Sequence, residues 1–416
     1  MKFDTTKDYA KNLDKSDPLS SYRKAFYYPK TNEGKEGIYL CGNSLGLQPK
    51  SVQNHINKEL NIWQDKGALG QHSRWEHFHE RLTESTARLV GAHNSEIVVM
   101  NALTVNLHLL MISFYQPTNK RNKIIVEAGA FPSDQYAIDS QVKLHGLDPK
   151  NTILELKPRQ NEYYLRTDDI ISAIENCSDE LSMVLMGGVN YYTGQAFEIE
   201  KITKAAHNVG AIVAIDLAHG AGNLDLDLHN WEVDFAVWCS YKYLCGGPGS
   251  PGGVFVHEKH ENWDGPRFNG WWGNKKTTRF IMESKFDPIV GAEGWQISNA
   301  PILAMACLRS SMAIFSNAGM PAIIKKSKKL TGYLEYLIGS LKDKIKIITP
   351  KDSKQRGAQL SLVVKKNAEE VFNGLNSNHI ICDWREPDVI RVAPVPLYNS
   401  FVDVYRFYEI VKDLTK

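Results

Sequence analysis

The sequence predicts an α/β fold in which a mostly parallel central sheet is wrapped by helices, with a smaller α+β domain beside it. Through the middle of the chain, apolar runs of strand length alternate with segments whose apolar residues recur at helical spacing. Polar residues suited to chemistry follow several of these runs. The 416 residues, 43% of them hydrophobic, suffice for a large core and for two domains, or one large domain with an appendage.

The elements of the central sheet are predicted from apolar runs bounded by polar residues. Strands are expected over residues 97–100, 123–127, 182–186, 211–215, 235–238 and 254–257. Helical spacing between them predicts helices over 104–115, 134–145 and 199–208. The last of these ends before Gly210, as a helix C-cap requires.

The two ends of the chain have a different pattern and are expected to fold together. Apolar residues recur at helical spacing from Val52 to Trp63, and a long helix from about Met320 is followed by strands around 345–348 and 360–364. We therefore expect residues 1–65 to form an N-terminal arm and part of the small domain. Residues 66–318 would form the large domain, and residues 319–416 the C-terminal small domain.

Charge gives no reason to expect nucleic acid or an anionic membrane as a partner, because the net charge is only +2. The strongest basic run lies among apolar residues at helical spacing and is predicted to be a solvated helix face; it comprises Lys325, Lys326, Lys328 and Lys329.

The six cysteines form no C-x-x-C pair, so free thiols of a reducing compartment are expected rather than disulfides or a metal site. The N-terminus has no apolar core of signal-peptide length, and no segment reaches the length of a membrane span. We expect a cytoplasmic protein.

A lysine and an aspartate stand where two of the predicted strands end. Lys242 closely follows the strand 235–238, and Asp216 ends the apolar run before it, with His219 three positions later. An isolated D-x-x-H pattern is more often a helix cap with a solvent-facing histidine. The combination with Lys242 instead suits pyridoxal phosphate, whose aldehyde a lysine binds as a Schiff base and whose ring nitrogen a buried carboxylate keeps protonated.

Two further strand ends supply residues that suit the rest of this cofactor. After strand 97–100, Thr104 and neighbouring amides can bind a phosphate at a helix N-terminus. After strand 123–127, Phe131 can stack on the pyridine ring, with Asp134 near its oxygen or the imine. Each feature alone is more often a cap or a core aromatic, but four strand ends that agree on one cofactor favour a site.

Several segments together resemble one family. They are 39–48 (YLCGNSLGLQ), 100–106 (MNALTVN), 131–134 (FPSD), 192–195 (YTGQ), 216–219 (DLAH), 239–244 (CSYKYL) and 391–400 (RVAPVPLYNS). The chain resembles kynureninase from about Leu40 to Phe407, which is nearly its whole length. The resemblance implies the fold-type I architecture of pyridoxal phosphate enzymes, a homodimer, and hydrolysis of L-kynurenine to anthranilate and L-alanine in tryptophan catabolism or NAD biosynthesis.

The resemblance also assigns residues. Lys242 would hold the cofactor covalently and act in catalysis with Asp216 and Tyr241, where Asp216 pairs with the ring nitrogen and Tyr241 is a candidate proton donor as well as a phosphate ligand. Arg391 would clamp the substrate α-carboxylate, although from spacing alone a surface ion pair is as good an explanation. The other implied cofactor contacts are Leu103, Thr104, Phe131, Pro132, Ser133, Asp134, Gly187 and His219, with Trp271 and Asn299 reaching the site from the partner subunit.

Substrate contacts are implied at Ser44, Gln71, Ser298 and Asn299. The Ser298-Asn299 pair resembles family members that accept 3-hydroxykynurenine, since an amide can bond the phenol. Gln71 departs from the histidine expected there, and Gly187 stands where a serine often occurs. The preference between kynurenine and 3-hydroxykynurenine therefore stays open.

Three alternatives remain. A β-lyase or desulfurase of the same fold would need a nucleophilic cysteine on a mobile loop, and no cysteine here has an evident setting of that kind. A metal-binding or scaffold protein is suggested by His72, His77 and His79 near two glutamates, although polar helix-face residues explain them better and no metal ligand set is predicted. A homologue kept for binding alone is disfavoured because each cofactor position holds a competent residue.

Overall fold

The computed structural model describes residues 3–416, and its largest sheet has seven strands in the order β2-β8-β7-β6-β5-β3-β4. All of them run parallel except β8, which is antiparallel to both of its neighbours. The strands of the chain are β1 (Ile38–Tyr39), β2 (Ile97–Met100), β3 (Lys123–Glu127), β4 (Ile153–Leu156), β5 (Leu181–Gly187), β6 (Ile212–Asp216), β7 (Phe235–Trp238), β8 (Gly252–Val256), β9 (Ile345–Ile347), β10 (Leu360–Val364), β11 (Ile380–Ile381), β12 (Asp383–Arg385) and β13 (Val389–Val392).

Helices pack on both sides of this sheet and around the smaller ones. They are α1 (Lys7–Lys15), α2 (Val52–Lys66), α3 (Glu80–Val90), α4 (Leu103–Phe114), α5 (Pro132–Leu144), α6 (Pro149–Thr152), α7 (Thr167–Asn176), α8 (Ile199–Asn208), α9 (Ile302–Ala318), α10 (Met320–Gly339), α11 (Ala368–Ser377) and α12 (Phe401–Leu414). Two apolar clusters of the large sheet lie between strands and helices, one on each face, which is the layered arrangement of an α/β domain.

The predicted strands and helices of the large sheet are confirmed, most of them to within two residues. The sequence missed β4, an edge strand in which Leu154 and Glu155 are exposed, so that it lacks a continuous buried run. It also gave no sign that β8 runs antiparallel, since the buried residues of a strand have the same pattern in either direction.

The two ends of the chain pack together. β1 pairs in parallel with β11, and a separate apolar core joins Ala10, Ile38 and Leu40 to residues of α10, α12 and the antiparallel sheet β12-β13-β10-β9. The carboxylate of Asp14 in α1 accepts hydrogen bonds from the first two backbone amides of α12, at 2.6 and 3.1 Å. Such a cap is worth about 1 kcal/mol. The domain boundaries themselves stay a prediction.

The basic run on α10 is only partly the solvated face that was predicted. Lys326 is buried and forms an ion pair with Asp17 at 2.7 Å, because its position on the helix faces the N-terminal segment rather than solvent. Lys325 and Lys328 are exposed, as predicted.

Over the described residues, no single helix combines the length and apolar character that crossing a membrane requires; α9 and α10 meet these criteria only jointly, and they are bent by 83° where they join.

Candidate active site

Lys242 lies in a tight turn just beyond the end of β7. Cys245 N–H donates to the Lys242 carbonyl at 2.9 Å, and Gly246 N–H donates to the Ser240 carbonyl at 2.8 Å. The N-terminal segment closes over this turn, where Gly46 N–H donates to the Tyr241 carbonyl at 2.8 Å. A Cβ on Gly46 would lie 2.4 Å from the Lys242 carbonyl oxygen, so only glycine permits this approach. Segment 39–48 therefore supports the lysine.

A cavity of about 110 Å³ opens beside Lys242. Ten of the residues predicted for the cofactor line it together, namely Leu103, Thr104, Phe131, Ser133, Asp134, Gly187, Asp216, His219, Tyr241 and Lys242. Pro132 lies between two of them as the first residue of α5. The sequence had not pointed to the other lining residues, which are Glu127, Val189, Tyr191, Ala218 and Cys239.

Two carboxyl groups meet inside the cavity. Asp216 ends β6 and Asp134 lies in the first turn of α5; both are buried, and they are hydrogen-bonded to one another. Burial raises the pKa of both groups, and the neighbouring Asp216 charge raises that of Asp134 further. The Ala218 N–H, which donates to Asp216 at 2.5 Å, opposes the rise at Asp216. Asp134 therefore holds the shared proton and Asp216 the negative charge.

A third carboxyl group, Glu127, lies at the end of β3. Its side chain is buried and accepts a hydrogen bond from the Asn190 amide at 2.8 Å. Burial is the main cause that raises its pKa to about 7, and the charge of Asp216 adds to the rise. The signal that could have found it is a charged residue directly after the buried run 124–126. The cavity thus contains three carboxyl groups that do not all ionise together.

Two helices begin at one edge of the cavity. Leu103 and Thr104 are the first residues of α4, and Ser133 is the second residue of α5. The hydroxyl groups of Thr104 and Ser133 are 2.7 Å apart. The free backbone amides and the positive ends of the two helix dipoles therefore lie beside two hydroxyl groups. This combination of donors suits a phosphate.

Aromatic rings and one imidazole surround the lysine. Lys242 Nζ lies 5.6 Å from the centroid of the Phe131 ring and 5.9 Å from that of Tyr241. Burial raises the pKa of the Tyr241 phenol and lowers that of His219 well below its usual range, so the imidazole is neutral. Within the described residues no hydrogen bond joins His219 to Asp216, and the supporting role predicted for His219 stays a prediction.

Arg391 does not line the cavity but lies behind one of its walls. Its Nη1 donates to the Tyr191 carbonyl at 2.7 Å, and its Nη2 bonds Asp383 and, at 3.3 Å, Ser44. The side chain is 1% exposed, so the surface ion pair considered from the sequence is wrong. Its Nε is buried and has no hydrogen-bond partner in the part of the chain described.

Four predicted residues lie away from the cavity of this chain. Gln71, Ser298 and Asn299 are exposed. Trp271 is 48% exposed, and its indole N–H donates to the Arg279 carbonyl at 3.0 Å. A single chain therefore does not bring these residues to Lys242, and their roles stay predictions.

The three histidines that suggested a metal site are explained by ion pairs. His72 pairs with Glu76, and His77 with Glu80 at 2.6 Å. Beside His79, Lys276 Nζ lies 2.8 Å from Glu80 and 2.7 Å from Glu293 and fills the place that an ion would take.

The cavity fits pyridoxal phosphate by the chemistry of its donors. The buried atoms Asp134 Oδ1 and His219 Nδ1 have no hydrogen-bond partner among residues 3–416, so polar groups remain for a ligand. The Lys242 amine matches the aldehyde of the cofactor, and the ionised Asp216 carboxylate matches its ring nitrogen. The exposed face of Phe131 matches the face of the ring, and the paired hydroxyl groups at the starts of α4 and α5 match the phosphate.

Solved structures with the same fold include two cysteine desulfurases and C-DES, of which a mutant carries glycine covalently linked to the pyridoxal phosphate cofactor. A cysteine desulfurase from Thermococcus onnurineus NA1 matches with a TM-score of 0.78 at 19% identity, over 95% of this chain and 97% of that one. The desulfurase CsdA from Escherichia coli matches with a TM-score of 0.75 at 15% identity, over 95% and 98% of the two chains. These similarities confirm the predicted fold class.

Sequence comparison identifies the family. A family model described as the kynureninase C-terminal domain matches residues 323–411. A protein named kynureninase from Myxococcus xanthus is 54% identical over 415 residues, which cover 99% of this chain and 97% of that protein. The kynureninase of Mus musculus is 46% identical over 99% of this chain and 93% of its own length. The chain therefore belongs to the kynureninase family of pyridoxal phosphate-dependent hydrolases.

Proposed function

We propose that this protein hydrolyses L-kynurenine, 3-hydroxy-L-kynurenine or both, in the cavity around Lys242. The products are L-alanine and, respectively, anthranilate or 3-hydroxyanthranilate. Family membership supports the reaction type. The observation that carries the assignment to this cavity is that Lys242 Nζ lies 5.6 Å from the Phe131 ring, with the buried Asp216 lining the same space.

The proposed cofactor contacts follow the lining of the cavity. Lys242 would bind the cofactor covalently, Asp216 would pair with its ring nitrogen, and Phe131 would stack on its face. Thr104 and Ser133 would bind its phosphate with the amides at the start of α4 and α5. When bound, the cofactor supplies a protonated ring that draws electrons away from the carbons of the amino acid.

The proton transfers would fall to two adjacent residues. Lys242 Nζ would take the proton from the substrate α-carbon. Because burial raises the pKa of Tyr241, its phenol keeps its proton at neutral pH and is a candidate donor to the departing fragment. Water would add to the aryl ketone, and cleavage of the Cβ–Cγ bond would release the aryl acid and leave alanine.

The charges around Arg391 support its role as the carboxylate clamp. Asp383 is paired with both Arg391 and Arg385, the latter at 2.9 Å, so the three side chains together carry one uncompensated positive charge. The unpartnered Nε of Arg391 offers a buried donor in addition. One carboxylate would satisfy both, and a guanidinium binds a carboxylate through two parallel hydrogen bonds.

We also propose a homodimer in the cytoplasm. The dimer is supported by apolar side chains that one chain leaves exposed near the predicted partner contacts, including Trp271, Phe280, Ile281 and Met282. In a dimer, Trp271 and Asn299 could reach the cavity of the other subunit. The cytoplasmic location is supported by six cysteines that are all free.

A sulfur-transferring lyase of the same fold is the second candidate, and the cysteines disfavour it. Such an enzyme needs a thiolate that is mobile and accessible. Cys239 lines the cavity, but it is buried, and burial raises the pKa of its thiol to about 11.

The function is tested by turnover of L-kynurenine and of 3-hydroxy-L-kynurenine with the purified, cofactor-loaded protein. The aryl product and alanine are followed separately. Equal amounts of alanine and of one aryl product are the expected result, and the ratio of kcat/KM values ranks the two substrates. A coloured, cofactor-loaded protein that releases neither product would overturn the proposal.

A further inference from the structure

A cluster of histidine and glutamate side chains lies at the end of the large sheet opposite to Lys242. His93 and Glu96 precede β2, His229 precedes β7, and Glu258 follows β8, whereas Lys242 emerges from the other end of β7. These residues come from three separate segments of the chain. No local pattern in the sequence therefore groups them, and the proposed reaction uses none of them.

The donor atoms of the cluster are close to the spacing of a metal centre. His229 Nδ1 is 3.0 Å from Glu96 Oε1, and His93 Nδ1 is 3.0 Å from Glu258 Oε2. One ligand atom from each of the four residues lies within 4.8 Å of all the others. In a tetrahedral zinc site, with bonds of about 2.0–2.2 Å, neighbouring ligand atoms are about 3.3 Å apart. Shifts of the four ligand atoms by roughly 1 Å toward a common centre would therefore bring all of them to bonding distance of one ion.

The buried carboxylate is already oriented by the backbone of the other ligands. Glu96 is 0% exposed, and its two oxygens accept the backbone N–H of His93 at 2.8 Å and that of Glu258 at 2.9 Å. The ring of His257 stacks on that of His229 at 5.1 Å, and its Nε2 bonds the His229 carbonyl at 3.1 Å. Contacts of this kind around a metal ligand fix its orientation and raise the affinity of a site.

The charge of the cluster also favours a divalent cation. With neutral imidazoles, Glu96 and Glu258 contribute two negative charges, one of them fully buried. Lys259 follows Glu258 in the chain, but its ammonium is 2.8 Å from Asp234 and is committed to that carboxylate. This distinguishes the cluster from the one at His79, where Lys276 occupies the centre.

We propose that His93, Glu96, His229 and Glu258 bind one divalent transition metal ion, best matched by Zn²⁺. Two imidazole nitrogens and two carboxylate oxygens are ligands that Zn²⁺ accepts in tetrahedral geometry. Each histidine would bind the ion through Nδ1 and keep its proton on Nε2, and the ion would join the starts of β2 and β7 to the end of β8. Its role is structural, because the site is at the far end of the sheet from the reaction.

The test is a titration of the cofactor-loaded protein, produced without a histidine tag and treated with a chelator, with ZnCl₂ followed by calorimetry. We expect one Zn²⁺ per chain at low-micromolar concentration and an increase in Tm of about 2 °C or more when the site is saturated. His93→Ala and Glu258→Gln should each weaken binding at least about tenfold. Both residues are exposed enough that the variants should fold, which cofactor loading and circular dichroism check.

His72→Ala is the matched control, because His72 pairs with Glu76 and belongs to neither cluster of possible metal ligands among residues 3–416. It should leave Zn²⁺ affinity unchanged. Absence of binding by the natural chain would overturn the proposal. Binding that survives both His93→Ala and Glu258→Gln would also overturn it, since the ion would then be held elsewhere, for example by the free cysteines.

Discussion

Asp134 and Asp216 share a hydrogen bond inside the cavity that Lys242 lines. Two carboxylates this close and this buried cannot both be ionised, so one proton stays between them. The backbone N–H of Ala218 favours the negative charge on Asp216. The pair therefore presents an anion at one defined place, with Asp134 as its hydrogen-bond donor.

This arrangement predicts unequal effects of two similar substitutions. Asp216→Asn removes the anion proposed for the ring nitrogen, and we expect kcat to fall at least about 100-fold. Asp134→Asn keeps a hydrogen-bond donor toward Asp216, so kcat should fall by less than about tenfold. Steady-state kinetics and the absorbance of the bound cofactor measure both. Equal losses in the two variants would contradict the assignment of the charge to Asp216.

Lys242→Ala should abolish covalent attachment of the cofactor and turnover together. Lys242 is the cavity-lining lysine, with its Nζ beside the Phe131 ring, so no other amine of the lining can replace it. Borohydride reduction followed by mass analysis of peptides would detect the labelled lysine. The control is Lys204→Ala on the exposed side of α8, which should keep the label and the activity. Full turnover by Lys242→Ala would rule out the proposed site.

Glu127 predicts a pH dependence of stability in the cofactor-free protein. Its pKa is raised from 4.5 to about 7, so the folded state binds this proton more tightly than the unfolded chain. The stability that the proton contributes is complete below about pH 4.5 and is lost as the pH rises through 7, a change of about 3 kcal/mol.

Glu127→Gln should therefore reduce the fall in urea midpoint between about pH 5 and about pH 8 without abolishing it, because the proton shared by Asp134 and Asp216 contributes a fall of the same sign. The exposed Glu84→Gln on α3 is the control and should behave like the natural protein. If Glu127→Gln shows the same fall as the natural chain, Glu127 does not titrate in this range.

Arg391 and Asp383 should affect substrate binding more than cofactor loading. Arg391→Gln removes the proposed carboxylate clamp, and a charged hydrogen bond of this kind corresponds to an increase in KM of about 10- to 100-fold. Asp383→Asn leaves the guanidinium in place but weakens its orientation, and we expect about a tenfold increase. Kinetics at full cofactor loading measure both.

Arg385→Gln is the control for this pair, because Arg385 is partly exposed and touches Asp383 from the other side. Its KM should change by less than about threefold. A larger effect of Arg385→Gln than of Arg391→Gln would move the clamp to Arg385.

The positions of Lys242 and Asp216 in the cavity were predictable because each follows a continuous buried run, and such a run marks a strand whose carboxyl end lies at the cavity. Phe131 and Thr104 followed from the same rule, whereas Ser133 was implied only by the family resemblance. Glu127 was missed because it was counted as the last residue of a strand rather than the first residue of the site.

Residues brought by long-range packing could not be found from local pattern. Tyr191 enters the cavity from a loop whose turn is held by the Asn190 side chain, and nothing in the sequence around it indicates a direction. The partners of Arg391 lie in β12 and in segment 39–48, far apart in the chain. From spacing alone, Arg391 was therefore as compatible with a surface ion pair as with a buried clamp.

Sharing of the active site between subunits can be tested by mixing two impaired variants. Lys242→Ala keeps Asn299, and Asn299→Ala keeps Lys242. If Asn299 serves the partner's cavity, a mixed dimer has one complete site out of two. Random reassortment makes about half of the dimers mixed, so activity should recover to about a quarter of that of the natural protein. If activity does not recover although subunit exchange has been proven, Asn299 does not serve the partner's cavity. Each cavity of a mixed dimer would then lack either Lys242 or Asn299.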